Sequence, residues 1–241
     1  LDFHPQASTP VLISGSEDAT LRFYDLSSAA PSALRQCSDT HAVSSVEFHP
    51  LGGHMLVGTS HPAVHLYDVA TFKCYLSASP LDHHTAPVTG VRWAPSGKAY
   101  ASCGGDAVKL WDGVSGRCAK PLGAAHLGAP VYSLRCTPSG EQLLTCGGDS
   151  CVRLWDVGTG QQVRAYEGAQ QTMRTNCAFS ADGKFVLCSD EATGEVVAWD
   201  VATADEVRRV AAHGGAVRWL AVSTAGVVVS LGTDCSLRAW H

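Results

Sequence analysis

Three sets of side chains in this sequence have the composition of a hydrolytic triad. His84, Ser102 and Asp106 form one set, His126, Thr145 and Asp149 a second, and His213, Ser230 and Asp234 a third. A histidine next to a hydroxyl and a carboxylate can take the hydroxyl proton and make a nucleophile. The histidine-to-aspartate separations are nearly the same, at 22, 23 and 21 residues. A tryptophan follows each aspartate, at Trp111, Trp155 and Trp240. A catalytic centre occurs once in a chain, whereas this set occurs three times. Recurrence points to a structural network, in which buried polar groups satisfy one another within a repeated unit.

Other chemistry is thinly represented. The ten cysteines include no CxxC pair, and several sit in apolar runs, around Cys136, Cys177 and Cys188. Buried, reduced thiols of a reducing compartment are expected, not a metal or disulfide framework. Gly104-Gly105 and Gly147-Gly148 are not followed by Lys-Ser/Thr, so they read as turns and not as phosphate loops. No catalytic, metal-binding or cofactor-binding residues are assigned, and the chain is expected not to be an enzyme. With 17 basic and 22 acidic residues the net charge is −5, which argues against a broad nucleic-acid footprint. No run of apolar residues is long enough to span a membrane, and no signal peptide is visible.

The elements that carry the three sets recur as well. A β-rich run ends on an aromatic residue at Tyr24, Tyr67, Trp111, Trp155, Trp199 and Trp240, with gaps of 43, 44, 44, 44 and 41 residues. Aspartate follows the first five, at positions 25, 68, 112, 156 and 200. Upstream of each aromatic lie two apolar runs separated by turn residues, such as VTGVRWAPSGK before AYASCGGD. Pro-Ser-Gly and Ala-Asp-Gly supply hairpin chemistry. A further run, such as QQVRAYEG or DEVRRVAAH, closes a unit. Four antiparallel strands in about forty-four residues is the grammar of a propeller blade.

These columns resemble WD40 repeats along the whole chain. The fold expected is all-β, a WD40 β-propeller with six repeats visible of a seven-bladed ring and four antiparallel strands per blade. The approximate repeats are 1–40, 41–82, 83–125, 126–168, 169–212 and 213–241 of a single, partial domain. In WD40 repeats the histidine joins the aspartate of a tight turn and the tryptophan indole donates to Ser or Thr. The resemblance thus assigns His84, Ser102, Asp106, Trp111, His126, Thr145, Asp149, Trp155, His213, Ser230, Asp234 and Trp240 to the structural network. The first repeat keeps Ser14 and Asp18, the second keeps His41, and the fifth has Asp190 but no matching histidine.

A finer likeness lies in GTSHPAVHLYDVATFKCYLSASPLDHHTAPV, in KLWDGVSGRC followed by AHLGAPVYS, and in RTNCAFSADGKFVLCSDE. Gly58-Thr59-Ser60-His61-Pro62 stands where a Gly-Asp turn is usual. These stretches resemble the WD40 subunits of the cleavage stimulation factor, a family of messenger-RNA 3′-end processing. The resemblance implies a nuclear scaffold of the cleavage and polyadenylation machinery. Its implied partners are the helical-repeat scaffold subunit of that factor and a second copy, joined through an N-terminal region expected to precede Leu1 together with one more blade. It admits contact with the RNA polymerase II C-terminal domain, with RNA engaged mainly through the complex. A generic WD40 adaptor, either a ubiquitin-ligase substrate receptor or a chromatin-associated scaffold, is the alternative.

Docking residues are sought where the repeat breaks. One column of the first strand reads Ser44, Thr89, Tyr132, Thr175 and Arg218, flanked by Arg174 and Trp219. Tyr132, Arg174, Arg218 and Trp219 are residue types favoured at binding hot spots. His61 and Glu191 fall on turns between second and third strands. These six are the candidate partner-binding residues.

Overall fold

The computed structural model describes all residues except Ala7, Thr9, 29–31, Gly123, Ala124, Thr172, Arg174, Thr224 and His241. Six antiparallel sheets follow one another along the chain, each with its strands in sequence order. Blade 1 holds β1 (Asp2–Phe3), β2 (Val11–Gly15), β3 (Thr20–Asp25) and β4 (Arg35–Ser38). Blade 2 holds β5 (Val43–Phe48), β6 (His54–Thr59), β7 (His65–Asp68) and β8 (Cys74–Tyr75). Blade 3 holds β9 (Val88–Trp93), β10 (Ala99–Gly104), β11 (Ala107–Asp112) and β12 (Cys118–Leu122). Blade 4 holds β13 (Val131–Cys136), β14 (Gln142–Gly147), β15 (Val152–Asp156) and β16 (Gln162–Tyr166). Blade 5 holds β17 (Cys177–Phe179), β18 (Phe185–Asp190), β19 (Glu195–Asp200) and β20 (Glu206–Ala211). Among the described residues blade 6 holds three strands, β21 (Val217–Val222), β22 (Val228–Gly232) and β23 (Leu237–Trp240). Among the described residues the only helical piece is a 3-10 turn at Pro80–Asp82, and no helix is long and apolar enough to cross a membrane.

Two compact units result, Leu1–Gly123 with blades 1 to 3 and Ala124–His241 with blades 4 to 6. Within each, apolar strand faces pack blade on blade, because a lone four-stranded sheet leaves a face wet. In the first unit Ile13, Leu21 and Phe23 meet Val43, Val46 and Phe48, and Leu56 and Val64 meet Val88, Val91 and Trp93. In the second, Leu144, Cys146 and Leu154 meet Cys177, Cys188 and Trp199, and Leu187 and Val196 meet Val217 and Leu220. Side chains also pair with the backbone of the neighbouring first strand. Asp2 accepts from the Phe48 N–H at 2.7 Å, Glu47 accepts from the Trp93 N–H, and Asn176 exchanges two 2.6 Å bonds with Leu220. All ten cysteines are free thiols, five of them buried.

The aspartate after the aromatic has a local role. Asp25, Asp68, Asp112, Asp156 and Asp200 each accept the N–H of a residue two or three positions on, at 2.6–3.0 Å. This Asx turn folds the third strand into the fourth.

Candidate functional site

In each triad-like set a histidine from the loop before the first strand meets a hydroxyl on the second strand, and all three hydroxyls are engaged. His126 approaches Thr145 at 2.8 Å through Nε2, the Trp155 indole donates to the same hydroxyl at 3.0 Å, and Nδ1 donates to Asp149 at 2.7 Å. Arg153 adds a 2.5 Å bond to the second Asp149 oxygen. Burial raises the Asp149 pKa, but donation from His126 and Arg153 outweighs it and holds the carboxyl below its ordinary value. His213 repeats this arrangement, with Ser230 at 2.8 Å, Asp234 at 3.0 Å and the Trp240 indole at 3.1 Å from Ser230. Each hydroxyl is fully buried and held between an indole and an imidazole. No substrate can reach such an oxygen, so the geometry serves packing and not acyl transfer.

Blade 3 corrects one assignment. His84 lies 2.7 Å from Ser102, and Trp111 donates to Ser102 at 2.8 Å, but Asp106 does not join them. Nδ1 of His84 is buried with no partner. The reason is the turn. Gly104 pairs with Ala107, leaving a two-residue hairpin whose left-handed position is Gly105, before Asp106. In blades 4 and 6 the left-handed residue is Ser150 or Cys235, directly after the aspartate. One residue fewer therefore turns Asp106 away. Burial and the nearby Lys109 charge push the His84 pKa down to about 4.

A glycine decides which blades can hold the histidine. A Cβ on Gly104, Gly147 or Gly232 would come within 2.5–2.9 Å of the ring of His84, His126 or His213. The ring lies flat against that backbone, so a side chain there excludes it. Blade 5 has Asp190 at this position and Cys188 in place of the hydroxyl. There Gln171 donates to Cys188 at 2.7 Å, and Trp199 donates to the Glu167 carbonyl instead. Asp190 pairs with Arg209 at 2.7 Å, and the same guanidinium reaches Glu195, Glu206 and the Gly168 carbonyl. Blade 2 has Thr59 at the glycine position and Val57 at the hydroxyl position. Its buried carboxylate is Asp39, which accepts from His65 at 2.7 Å and from the Tyr67 hydroxyl at 2.6 Å.

The variable first-strand column has a structural identity too. Register shifts fall between Val43 and Ser45, between Val131 and Ser133, and between Val217 and Trp219. Ser44, Tyr132 and Arg218 are thus bulge residues, re-aimed away from the ladder. Ser44 donates across to the Val88 carbonyl of the next blade at 2.5 Å. Tyr132 is half-buried against the core between blades 4 and 5, which explains its size by packing. Arg218 pairs with Glu191 at 2.6 Å and reaches the Met173 sulfur at 3.1 Å, while Glu191 also accepts the Met173 N–H. These two candidates, far apart in sequence, form one cluster beside the exposed Met173. Arg174 lies outside the described residues. Trp219 is 44% exposed, with the Arg135 guanidinium over its ring at 5.6 Å. His61 occupies the turn between β6 and β7, among His41, His65 and His83. Sequence reasoning singled out His61 and His41 separately but missed their grouping with His65 and His83, and it missed Met173, because these contacts cross repeat columns.

The family model for the WD domain, G-beta repeat, matches residues 73–112 and 117–156. These two segments are WD40 repeats. Each matched WD40 repeat carries the last strand of one blade and the first three of the next, β8 to β11 and then β12 to β15. The chain is 39% identical to cleavage stimulation factor subunit 50 of Arabidopsis thaliana, across all of its own length and 57% of the relative's. It is 36% identical to pre-mRNA-processing factor 19 homolog 2 of the same plant, over 45% of this chain and 20% of that one. To the plant's transcriptional corepressor LEUNIG_HOMOLOG it is 31% identical, over 51% of this chain and 14% of the relative. The chain thus spans little more than half of the first relative and a fifth or less of the other two.

Proposed function

We propose that this chain is the WD40 portion of a scaffold subunit in nuclear pre-mRNA 3′-end cleavage and polyadenylation. The observation that carries this reading is the 39% identity to cleavage stimulation factor subunit 50 along the entire chain. The likeness to a pre-mRNA-processing factor supports messenger-RNA processing more broadly. The role is docking and not catalysis, since the recurring His–Ser/Thr pairs are sealed in the blades. Its partners are the helical-repeat scaffold subunit of the same factor, a second copy through an N-terminal region, and the RNA polymerase II C-terminal domain. RNA is engaged through the assembled complex. His61, Arg174, the Arg218–Glu191 pair and Trp219 are the docking residues, Tyr132 contributing by packing.

The match to a transcriptional corepressor favours a second reading, a chromatin-associated adaptor. Affinity purification of the tagged protein from nuclear extract separates the two. Recovery of 3′-processing factors is expected, and recovery of cullin or chromatin components in their place contradicts the first reading.

A further inference from the structure

Neighbouring first strands are tied together by one repeated device, and it is interrupted between blades 5 and 6. Along the free edge of a first strand every second N–H points away from its own sheet. The Ser45 hydroxyl of blade 2 accepts from the Val91 N–H of blade 3, and two residues on, Glu47 accepts from the Trp93 N–H. Asp2 of blade 1 does the same for the Phe48 N–H of blade 2, at 2.7 Å. Blade 5 starts in this way, with Asn176 accepting from the Leu220 N–H of blade 6 at 2.6 Å. Two residues on, the carboxylate that would meet the Val222 N–H is replaced by Ala178. The Ser223 N–H bonds to the Val227 carbonyl, so by alternation the Val222 N–H points off the free edge of β21. Among the described residues no side chain accepts from it.

The missing side chain leaves a space. A cavity of about 370 Å³ lies between β13, β17 and β21, lined by Ala178, Ala221 and Val222, with Phe179 and Leu220 as apolar walls. Arg135 also lines it, and none of its described lining residues is acidic. Arg135 stands one blade before Ala178, in the column that holds Glu47 in blade 2 and Arg92 in blade 3. Arg92 lies 4.0 Å from Glu47, so an arginine one blade away can meet a carboxylate of this column. Arg135 donates to the Leu134 carbonyl at 3.0 Å and covers the Trp219 ring at 5.6 Å. These contacts fix the guanidinium, and neither removes its charge.

We propose that this cavity receives a glutamate or aspartate side chain of a partner protein. Its carboxylate accepts the Val222 N–H as Glu47 accepts that of Trp93, with Arg135 beside it. The molecule thus shows the bound geometry in its own blades 1 to 3, where Asp2 and Glu47 make the bond from within the chain. A hydrogen bond to an ionised acceptor is the stronger kind, and the apolar walls favour it by keeping water away. A single side chain suits the site better than a nucleic-acid strand, because one cation lines the cavity on a chain of net charge −5. The proposal rests on the docking-scaffold reading and gives the surface beside Trp219 a partner chemistry.

Titration of the isotope-labelled protein with a blocked Ala-Glu-Ala-Glu-Ala peptide, followed by amide NMR, tests it. The Val222 amide proton should move downfield and saturate, and the same peptide with glutamine for glutamate should leave it in place. Arg135→Gln should weaken binding about tenfold. Ala178→Glu, which supplies the chain's own carboxylate, should move the Val222 amide without peptide and abolish the response to it. Where Ala178→Glu does not fold, Arg135→Gln and the glutamine peptide decide. An unmoved Val222 amide, an equal response to the glutamine peptide, or parental affinity of Arg135→Gln overturns the proposal. So does an oligouridylate that moves the same amide at lower concentration than the peptide. Failure here alongside recovery of 3′-processing factors would leave the scaffold reading intact.

Discussion

Asp149 and Asp106 occupy the same place in the sequence pattern, four residues after the hydroxyl, yet their removal should have different consequences. Asp149 accepts from a His126 ring whose side chain is 0% exposed and from Arg153, which is mostly buried. In Asp149→Ala, Nδ1 of His126 loses its acceptor and Arg153 its counter-charge. A stranded buried donor costs about 1–3 kcal/mol, and breaking a buried ion pair costs about 3–5 kcal/mol where burial is complete. Partial exposure of Asp149 lowers the second figure, so a loss of about 3 kcal/mol is expected. At a urea slope of about 3 kcal/mol per molar, the midpoint falls by about 1 M. Asp106 has no side-chain bond to His84, so Asp106→Ala should change stability by under about 0.5 kcal/mol. Urea unfolding followed by tryptophan fluorescence reads both. Equal midpoint losses would refute the turn-length argument, and an unchanged Asp149→Ala would refute the buried network itself.

Three further outcomes follow from the same contacts. The folded-state pKa of His84, about 4, lies below its ordinary value of 6.5, so its contribution is present above pH 6.5 and lost as the pH falls toward 4. The depressed Asp149 pKa adds a second loss below its ordinary 3.8. Urea midpoints measured against pH should decline through the first window, and His84→Gln should flatten it; a parental midpoint constant from pH 6.5 to 4 contradicts this. Arg209→Ala strands the buried Asp190 and should cost about 3 kcal/mol, with Arg209→Lys recovering part, as read by thermal unfolding. Gly147→Ala drives a Cβ to 2.6 Å from the His126 ring and should cost about 1–3 kcal/mol, whereas Gly53→Ala, with open space around it, should be near neutral in the same assay.

Much of this molecule is visible in its residues. The six aromatics at near-constant spacing define the third strands, and the hairpin residues between apolar runs separate the others. Repeat grammar is local, so it can be read locally. The parts that escaped depend on one residue more or less. The Asp106-to-Trp111 gap is five where Asp149 to Trp155 and Asp234 to Trp240 are six, and that difference carries the short turn. The glycine two positions after the hydroxyl was equally present in the sequence, but its meaning, room for an imidazole, needs coordinates. Replacement networks such as Asp39–His65–Tyr67 and Asp190–Arg209 join different strands, so no periodicity announces them. The bulge position of Ser44, Tyr132 and Arg218 explains why that column varies: each side chain leaves the ladder and answers to its own neighbours.

The proposed role of this propeller segment is docking onto the 3′-end processing machinery. Its most direct test is association of the purified protein with the helical-repeat subunit of the cleavage stimulation factor, followed by analytical ultracentrifugation. The account predicts a stable complex that Trp219→Ala or His61→Ala weakens at least about tenfold, or 1.4 kcal/mol, with a far smaller change in the unfolding midpoint. Two independently sedimenting species at micromolar concentration, under conditions where both proteins are folded, would contradict it.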